Sequence, residues 1–236
     1  MLKNVIPESI KFKIKQTLQR KLNLRGDDEY YEHYVKQRMA IEALIPKVSL
    51  DNQHIRNIKI LLDRTELLKQ LPKNSICAEI GVDRGEFSEQ IITHTNPQKL
   101  HLIDAWGDQK RYHDGLRNEV IERYGQEIEH GSMVINHGYS TEVLEAFPNA
   151  YFDWVYLDTD HTYKLTSEEL KLLKHKVKPD GIIAGHDYTI GNWVAGYRYG
   201  VIEAVHEFCV IENYEIIYLT METHQFRSFA IRKVVG

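Results

Sequence analysis

Ser75-Ile76-Cys77-Ala78-Glu79-Ile80, then Gly81-Val82-Asp83-Arg84-Gly85, then Glu86-Phe87-Ser88, reads as a buried strand, a glycine turn and the opening of a helix. Glycines at 81 and 85 permit a tight turn and close approach of a ligand to the backbone just ahead of that helix. The G-x-G-x-x-G dinucleotide fingerprint is absent, because Val82-Asp83 stands where its second glycine would be. Acids at Glu79, Asp83 and Glu86 would repel a pyrophosphate but suit a cation or a positively charged, hydroxyl-rich nucleoside. Asp104 closes the next strand, Leu100-His101-Leu102-Ile103, where an acid can accept both hydroxyls of a ribose. Turn glycines and an ordinary surface aspartate would explain each feature singly. Their joint spacing favours a nucleoside site.

Outward from this stretch, short apolar runs alternate with helical patterns, which signals an α/β fold. Further strands are expected at Met133–Ile135, Phe152–Leu157 and Gly181–Ala184. Helices are expected over Ile58–Leu71, Phe87–Thr93, Glu142–Phe147 and Thr166–His175, with a polar loop and an amphipathic helix within residues 106–131. Tyr214–Leu219 and Phe226–Ile231 are two strands with a gap too short for a crossover helix, so that pair must be antiparallel. The expected architecture is a Rossmann-like, doubly wound, seven-stranded, mostly parallel sheet with a C-terminal antiparallel pair, preceded by N-terminal helices.

Two polar clusters follow two of these strands: Leu157-Asp158-Thr159-Asp160-His161-Thr162-Tyr163, and Gly185-His186-Asp187-Tyr188. Ligands bind outside the carboxyl ends of strands in open α/β sheets, so the two clusters can converge. Oxygen and imidazole groups meeting there suit a hard divalent metal, a proton-transfer site, or both. Residues 188–200, rich in glycine and aromatics, are expected to cover the site, with Trp193, Tyr197 and Tyr199 as stacking faces and Arg198 for an anionic group. A long connection tucked against the core is the plainer alternative. Arg111, Tyr112 and His113 are expected on the opposite wall.

Composition points to an ordinary globular protein, with 42% hydrophobic and 27% charged residues. No apolar run reaches the ~20 residues needed to cross a bilayer. Cys77 and Cys209 sit in apolar settings, consistent with reduced thiols and a cytoplasmic location. The net charge of −4 is uneven: residues 1–25 carry seven Lys/Arg against Glu8 alone, and the remainder holds 23 basic and 33 acidic residues. Ile10, Ile14, Leu18 and Leu22 recur within the basic segment at helical spacing. Residues 1–50 are therefore expected to form a basic amphipathic helical arm, and 51–236 the main domain. The arm suits a weak membrane-surface contact through residues 1–25 or, more simply, packing on its own domain or on a second subunit in a homodimer. Nucleic acid is disfavoured, since the basic residues stop at Arg25 and the body is acidic.

Taken in order, E-I-G-V-D-R-G-E-F-S, L-I-D-A-W, F-D-W-V-Y-L-D-T-D-H-T-Y and K-P-D-G-I-I-A-G-H-D-Y resemble the class I S-adenosylmethionine-dependent methyltransferases. More narrowly, they resemble the metal-dependent branch that includes macrocin-type sugar O-methyltransferases. The resemblance covers roughly residues 55–235. It implies that Gly81 and Gly85 approach the methionine part of the cofactor, with Glu79 and Asp83 at its ammonium and Ser88 at its carboxylate. Asp104 would hold the ribose, beside Ala105 and Trp106, and Ser140 would contact the adenine. Asp158 and Asp187 match the family's metal carboxylates, with His186 where some members have an acid. Asp158 alternatively touches the cofactor. The ion implied is Mg²⁺ or Mn²⁺.

Methyl transfer from a sulfonium needs alignment of donor and acceptor and removal of the acceptor's proton. His161 is the first candidate base, because imidazoles titrate near neutrality at ~6.5; Asp160 is the second. The acceptor expected is a hydroxyl of a sugar, a glycosylated compound or another small molecule. Two other classes stay open at this point: a metal-dependent hydrolase using the D-x-D-H and H-D clusters, and a non-catalytic nucleoside-binding module.

Overall fold

The computed structural model describes residues 28–107, 115–192, 194–223 and 226–234, together with positions 13, 14 and 17. The chain divides into two compact units, Met1–Ile45 and Pro46–Gly236. In the first, helix α1 (Asp28–Leu44) leaves Met39, Ile41 and Leu44 exposed. Of the basic segment, Lys13, Ile14 and Thr17 are helical and exposed; its other residues, Ile10, Leu18 and Leu22 included, lie outside the described ones.

The second unit contains β1 (Lys59–Leu61), α2 (Arg64–Gln70), β2 (Ile76–Ile80), α3 (Glu86–Thr95) and β3 (Lys99–Asp104). Next come α4 (Gly115–Arg123), α5 (Gly125–Glu129), β4 (Met133–His137), α6 (Ser140–Ala146), β5 (Phe152–Leu157), α7 (Tyr163–Lys176) and β6 (Val177–Gly185). A two-stranded hairpin, β7 (Gly191–Asn192) and β8 (Tyr197–Arg198), precedes α8 (Val201–Glu212), β9 (Tyr214–Thr220) and β10 (Phe229–Lys233). The main sheet has eight strands in the order β1-β9-β10-β6-β5-β2-β3-β4. All neighbours are parallel except β10, which runs antiparallel to both β9 and β6.

Helices cover both faces, as the near-continuous apolar runs of β2, β3 and β5 demand of parallel strands. One face packs Leu67 and Leu68 of α2, Phe87 and Ile91 of α3 and Leu116 and Val120 of α4 on Trp154 and Tyr156. The other packs Leu144, Leu170, Leu173, Val205 and Phe208 on Ile80, Val155 and Leu157. From β2 the chain winds one way to β3 and β4, then returns to β5 on the other side. The crevice for a ligand therefore opens at the carboxyl ends of β2 and β5. In register, Ile80 pairs with Ile103 and Leu157, and Leu157 with Gly185. Gly81, Asp104, Asp158 and His186 are consequently neighbours just beyond the paired ends.

Two expectations need correction. The helix expected over Ile58–Leu71 is split: Lys59–Leu61 pair with Tyr218–Thr220, and the helix begins only after Asp63, whose side chain accepts from the Glu66 amide at 2.8 Å. The apolar run Ile58, Ile60, Leu61, Leu62 fits either period, and a partner strand distant in sequence decided it. That strand raises the sheet from the expected seven strands to eight. Helix α8 carries no sequence signal at its start, since Gly200 precedes it without a side-chain cap. No helix among the described residues is long and apolar enough to cross a membrane.

Candidate active site

The β2 turn is held by backbone contacts that require its glycines. Gly81 has φ +89°, and a Cβ there would lie 1.9 Å from the carbonyl oxygen of Asp158. The Asp158 amide in turn donates to the Ile80 carbonyl at 2.7 Å, locking the ends of β5 and β2 together. Gly85, at φ +72°, is the left-handed residue before α3, and its carbonyl accepts from the Tyr124 hydroxyl at 2.6 Å. Asp104 organises the loop opposite. Its Oδ2 accepts from the amides of Val82 (2.7 Å) and Asp83 (3.0 Å), and its Oδ1 from the Trp106 amide (2.8 Å). The Trp106 indole donates to the Asp83 carbonyl at 2.8 Å, while His137 Nε2 meets the carbonyl of Ala105 at 2.9 Å. Trp106 is buried and stacks at 6.3 Å on His137.

Ser88 is placed differently from the cofactor-facing position expected of it. It is fully buried and donates its hydroxyl to Glu79. Glu79 is itself buried, and that burial pushes its carboxyl up to about 8 although the Ser88 hydrogen bond opposes it. The pair braces the turn from beneath.

The second group assembles the two polar clusters. His161 Nδ1 lies 3.1 Å from Asp187 Oδ2 and 4.0 Å from Asp158 Oδ1. His186 Nδ1 lies 3.1 Å from the same Asp187 oxygen and 3.7 Å from Asp158 Oδ2. Donor atoms of Asp158, His161 and Asp187 all fall within 4.8 Å of one another. His186 is not in that set, although its Nδ1 is as near Asp187 as that of His161. Asp187 Oδ1 and His186 Nε2 are enclosed without hydrogen-bond partners among the described residues.

Burial raises the Asp158 carboxyl above the usual carboxylate range, with Asp187 adding to it and His186 opposing. For His186 burial works against protonation, but the Asp187 hydrogen bond and the Asp158 charge outweigh it and raise its pKa. His161 (φ +62°) and Asp187 (φ +56°) both hold left-handed backbone, a conformation that costs a side-chain-bearing residue about 1–2 kcal/mol. Such strain concentrates at functional sites.

Asp160 is exposed and already engaged: its Oδ1 accepts from the Thr162 amide (2.9 Å) and hydroxyl (2.8 Å) at the start of α7. Ser140 is likewise turned away from an adenine, donating at 2.5 Å to Glu169. Glu169, fully buried on α7, also accepts from Thr159 at 2.9 Å. It ties the loop after β4 to the loop after β5, a role with no sequence signal because it sits in a polar helical run. Burial pushes its carboxyl up to about 7 from an ordinary 4.5.

Between those values the folded chain binds a proton at Glu169 that the unfolded chain has lost, so this contribution to stability is complete below ~4.5 and disappears as pH rises through ~7. Glu169→Gln is expected to flatten the fall in stability between about pH 5 and 7, by up to ~3 kcal/mol over that span. Urea denaturation at stepped pH checks it; an unchanged slope would refute the role.

Of the 188–200 loop, Tyr199 reaches the site. Its ring is 4.8 Å from His161 and 5.8 Å from Phe226, and the Gly200 amide donates to the His161 carbonyl at 2.8 Å. Arg198 is not aimed at an acceptor: its guanidinium binds Glu203 Oε1 at 2.5 Å and the Ile190 and Tyr199 carbonyls. Tyr197 is exposed on β8. Trp193, Arg111, Tyr112 and His113 lie outside the described residues.

Residues 78–188 match the family model described as a methyltransferase domain, a span running from β2 through Asp187. That segment, just under half of the chain, is similar to a methyltransferase domain. Its fold recurs in solved structures of low identity. A SAM-dependent methyltransferase from Aquifex aeolicus is 13% identical with a TM-score of 0.52, covering 82% of this chain and 96% of its own. The pyocyanin biosynthetic protein PhzM is 13% identical with a TM-score of 0.56, covering 73% of this chain; this chain spans about half of it (54%). Spermidine synthase from Thermotoga maritima, 17% identical with a TM-score of 0.51, covers 74% of this chain and 59% of its own. No curated protein matches the sequence. The methyltransferase domain thus shares its sheet with a synthase of another name, and its reaction has to be argued from the site.

Proposed function

We propose that the domain takes its methyl group from S-adenosylmethionine and transfers it to a hydroxyl oxygen of a sugar or other small-molecule acceptor, with His161 as the base. The observation that carries this is the 3.1 Å contact between His161 Nδ1 and Asp187 Oδ2 at the mouth of the β2–β5 crevice. A carboxylate on one ring nitrogen fixes the tautomer and leaves Nε2 as the proton acceptor. Nε2 has no hydrogen-bond partner among the described residues. Asp160, spent on Thr162, is the weaker candidate.

When bound, the cofactor supplies a methyl already activated by its positive sulfur. What is asked of the chain is alignment and proton removal. Asp158 stands beside the crevice at the end of β5, and the Gly81 turn admits close approach. Asp104 holds the amides of Val82, Asp83 and Trp106, which shapes the loop where a ribose would lie. Tyr199 beside His161 and Tyr197 on the hairpin offer aromatic faces to a sugar ring.

A divalent cation fits the same site. Two carboxylates and an imidazole converge within 4.8 Å, and Asp187 Oδ1 is enclosed without a partner among the described residues. Asp158 and Asp187 would hold Mg²⁺ or Mn²⁺, which when bound would lower the pKa of an acceptor hydroxyl and leave His161 Nε2 to take its proton. Turnover on a panel of glycosides and small alcohols, assayed with and without chelator, tests both parts. Loss in EDTA with recovery on added Mn²⁺ or Mg²⁺ is expected. Full activity in excess EDTA leaves the Asp187–His161 pair acting alone, and no methyl transfer from S-adenosylmethionine to any oxygen acceptor refutes the reading.

A further inference from the structure

Arg198 ties together both feet of the β7–β8 hairpin, which comes directly before α8 and ends beside His161. Its guanidinium donates to the Ile190 carbonyl at 3.1 Å, where the hairpin begins, and to the Tyr199 carbonyl, where it ends. The Tyr199 amide closes the same gap, donating to the Ile190 carbonyl at 2.9 Å. A second guanidinium nitrogen meets Glu203 Oε1 at 2.5 Å, and Lys47 Nζ reaches that oxygen at 3.1 Å. Glu203 is buried in the first turn of α8. A buried carboxylate gripped by two cations is a fixed point, since removing a partner strands charge out of water.

The two residues that follow Arg198 touch His161. The Tyr199 ring centre lies 4.8 Å from that of His161, and the Gly200 amide donates to the His161 carbonyl at 2.8 Å. Gly200 is itself pressed on the start of α7: a Cβ there would lie 2.3 Å from the Tyr163 amide nitrogen and 2.4 Å from its Cα. His161 needs such support, because its φ of +62° is a backbone that a side-chain-bearing residue does not favour alone. Asp187, which meets the ring, holds φ +56°, so neither member of the pair rests on a relaxed turn. We propose that Arg198 and Glu203 are positioning residues for the base. Their ion pair keeps Tyr199 and Gly200 against His161, and thereby keeps the imidazole beside Asp187 at the mouth of the crevice. Misplacing a reacting group by about 1 Å costs on the order of 10²-fold in rate. Neither residue is asked to touch cofactor or acceptor. The proposal rests on His161 as the base.

The test joins steady-state kinetics to the histidine ring signals in proton–carbon NMR spectra, with His161 assigned by its loss in His161→Ala. Arg198→Met and Glu203→Gln are each expected to lower kcat about 10- to 100-fold. The acceptor KM and the affinity for S-adenosylhomocysteine should stay within about twofold of the unaltered protein, the split that separates positioning from binding. Arg198→Lys should recover part of the loss, because an ammonium can still meet Glu203 but cannot fork to both carbonyls. Tyr199→Leu keeps the ion pair and removes the ring, so it marks the His161 signal without its neighbour. Both ion-pair variants should move His161 toward that mark while the buried His101 on β3 stays in place. Full kcat in Arg198→Met, or a fall in kcat with His161 unmoved, overturns the positioning role. Where an ion-pair variant displaces His101 as well or fails to fold, Tyr199→Leu and Arg198→Lys decide, and undiminished kcat in both overturns it. Turnover by His161→Ala within about tenfold of the unaltered protein removes the base itself, whatever the signals show.

Discussion

His161→Ala is expected to lower methyl transfer roughly 10²- to 10⁴-fold, the span that a positioned general base contributes. The ring is partly exposed and its loss opens no core cavity: His161 and Asp187 retain 22% and 5% of their side-chain surface. Stability should therefore change little. The cofactor should bind as before, because the β2 turn and Asp104 are built from other residues. Asp187→Asn should reproduce part of the defect, since an amide can still touch Nδ1 but cannot favour the charged ring that forms when Nε2 takes the proton. Steady-state kinetics alongside S-adenosylhomocysteine binding check both variants. His161→Ala turning over within about tenfold of the unaltered protein would remove the histidine from the chemistry.

Gly81→Ala should be the most damaging change to the fold at this site. Its new Cβ would sit 1.9 Å from the Asp158 carbonyl oxygen and 2.6 Å from the Asp158 carbonyl carbon, at φ +89°. Neither partner is a flexible side chain. Relief demands that the ends of β2 and β5 separate, breaking the 2.7 Å bond from the Asp158 amide to Ile80. A loss above ~4 kcal/mol is expected, in the tail of single-substitution effects. Gly131→Ala is the matched control: φ is +73° there, yet nothing lies within 4 Å of the added atom. It should cost only the left-handed penalty of about 1–2 kcal/mol. Urea denaturation of the two variants measures the difference, and equal losses would show that crowding at Asp158 is absent.

Much of this architecture could be read from local pattern. Strands β2, β3 and β5 are short apolar runs that end at a glycine or an acid, and burial on both faces of a parallel sheet selects such runs. The antiparallel C-terminal pair followed from the length of its connection. Helix α8 and strand β1 were not legible. Gly200 offers no cap, and Lys59–Leu61 becomes a strand only because β9, more than 150 residues later, supplies its ladder.

Side-chain direction was the harder matter. Ser88, Ser140 and Arg198 have the chemistry to touch a ligand, yet each is committed to a carboxylate of its own chain: Glu79, Glu169 and Glu203. A sequence shows which residues can donate, but not which acceptor lies nearer.

By itself, then, the sequence determined the alternation of strands and helices, the glycine turn and the two polar clusters at strand ends, because each depends on residues close together in the chain. Only the tertiary structure decided that His161 as well as His186 meets Asp187 beside Asp158, and that Asp160 is spent on Thr162. Those outcomes turn on ångström differences in where separate loops meet. Such differences are set by the sheet register and the left-handed backbone at His161 and Asp187, and no residue pattern encodes them.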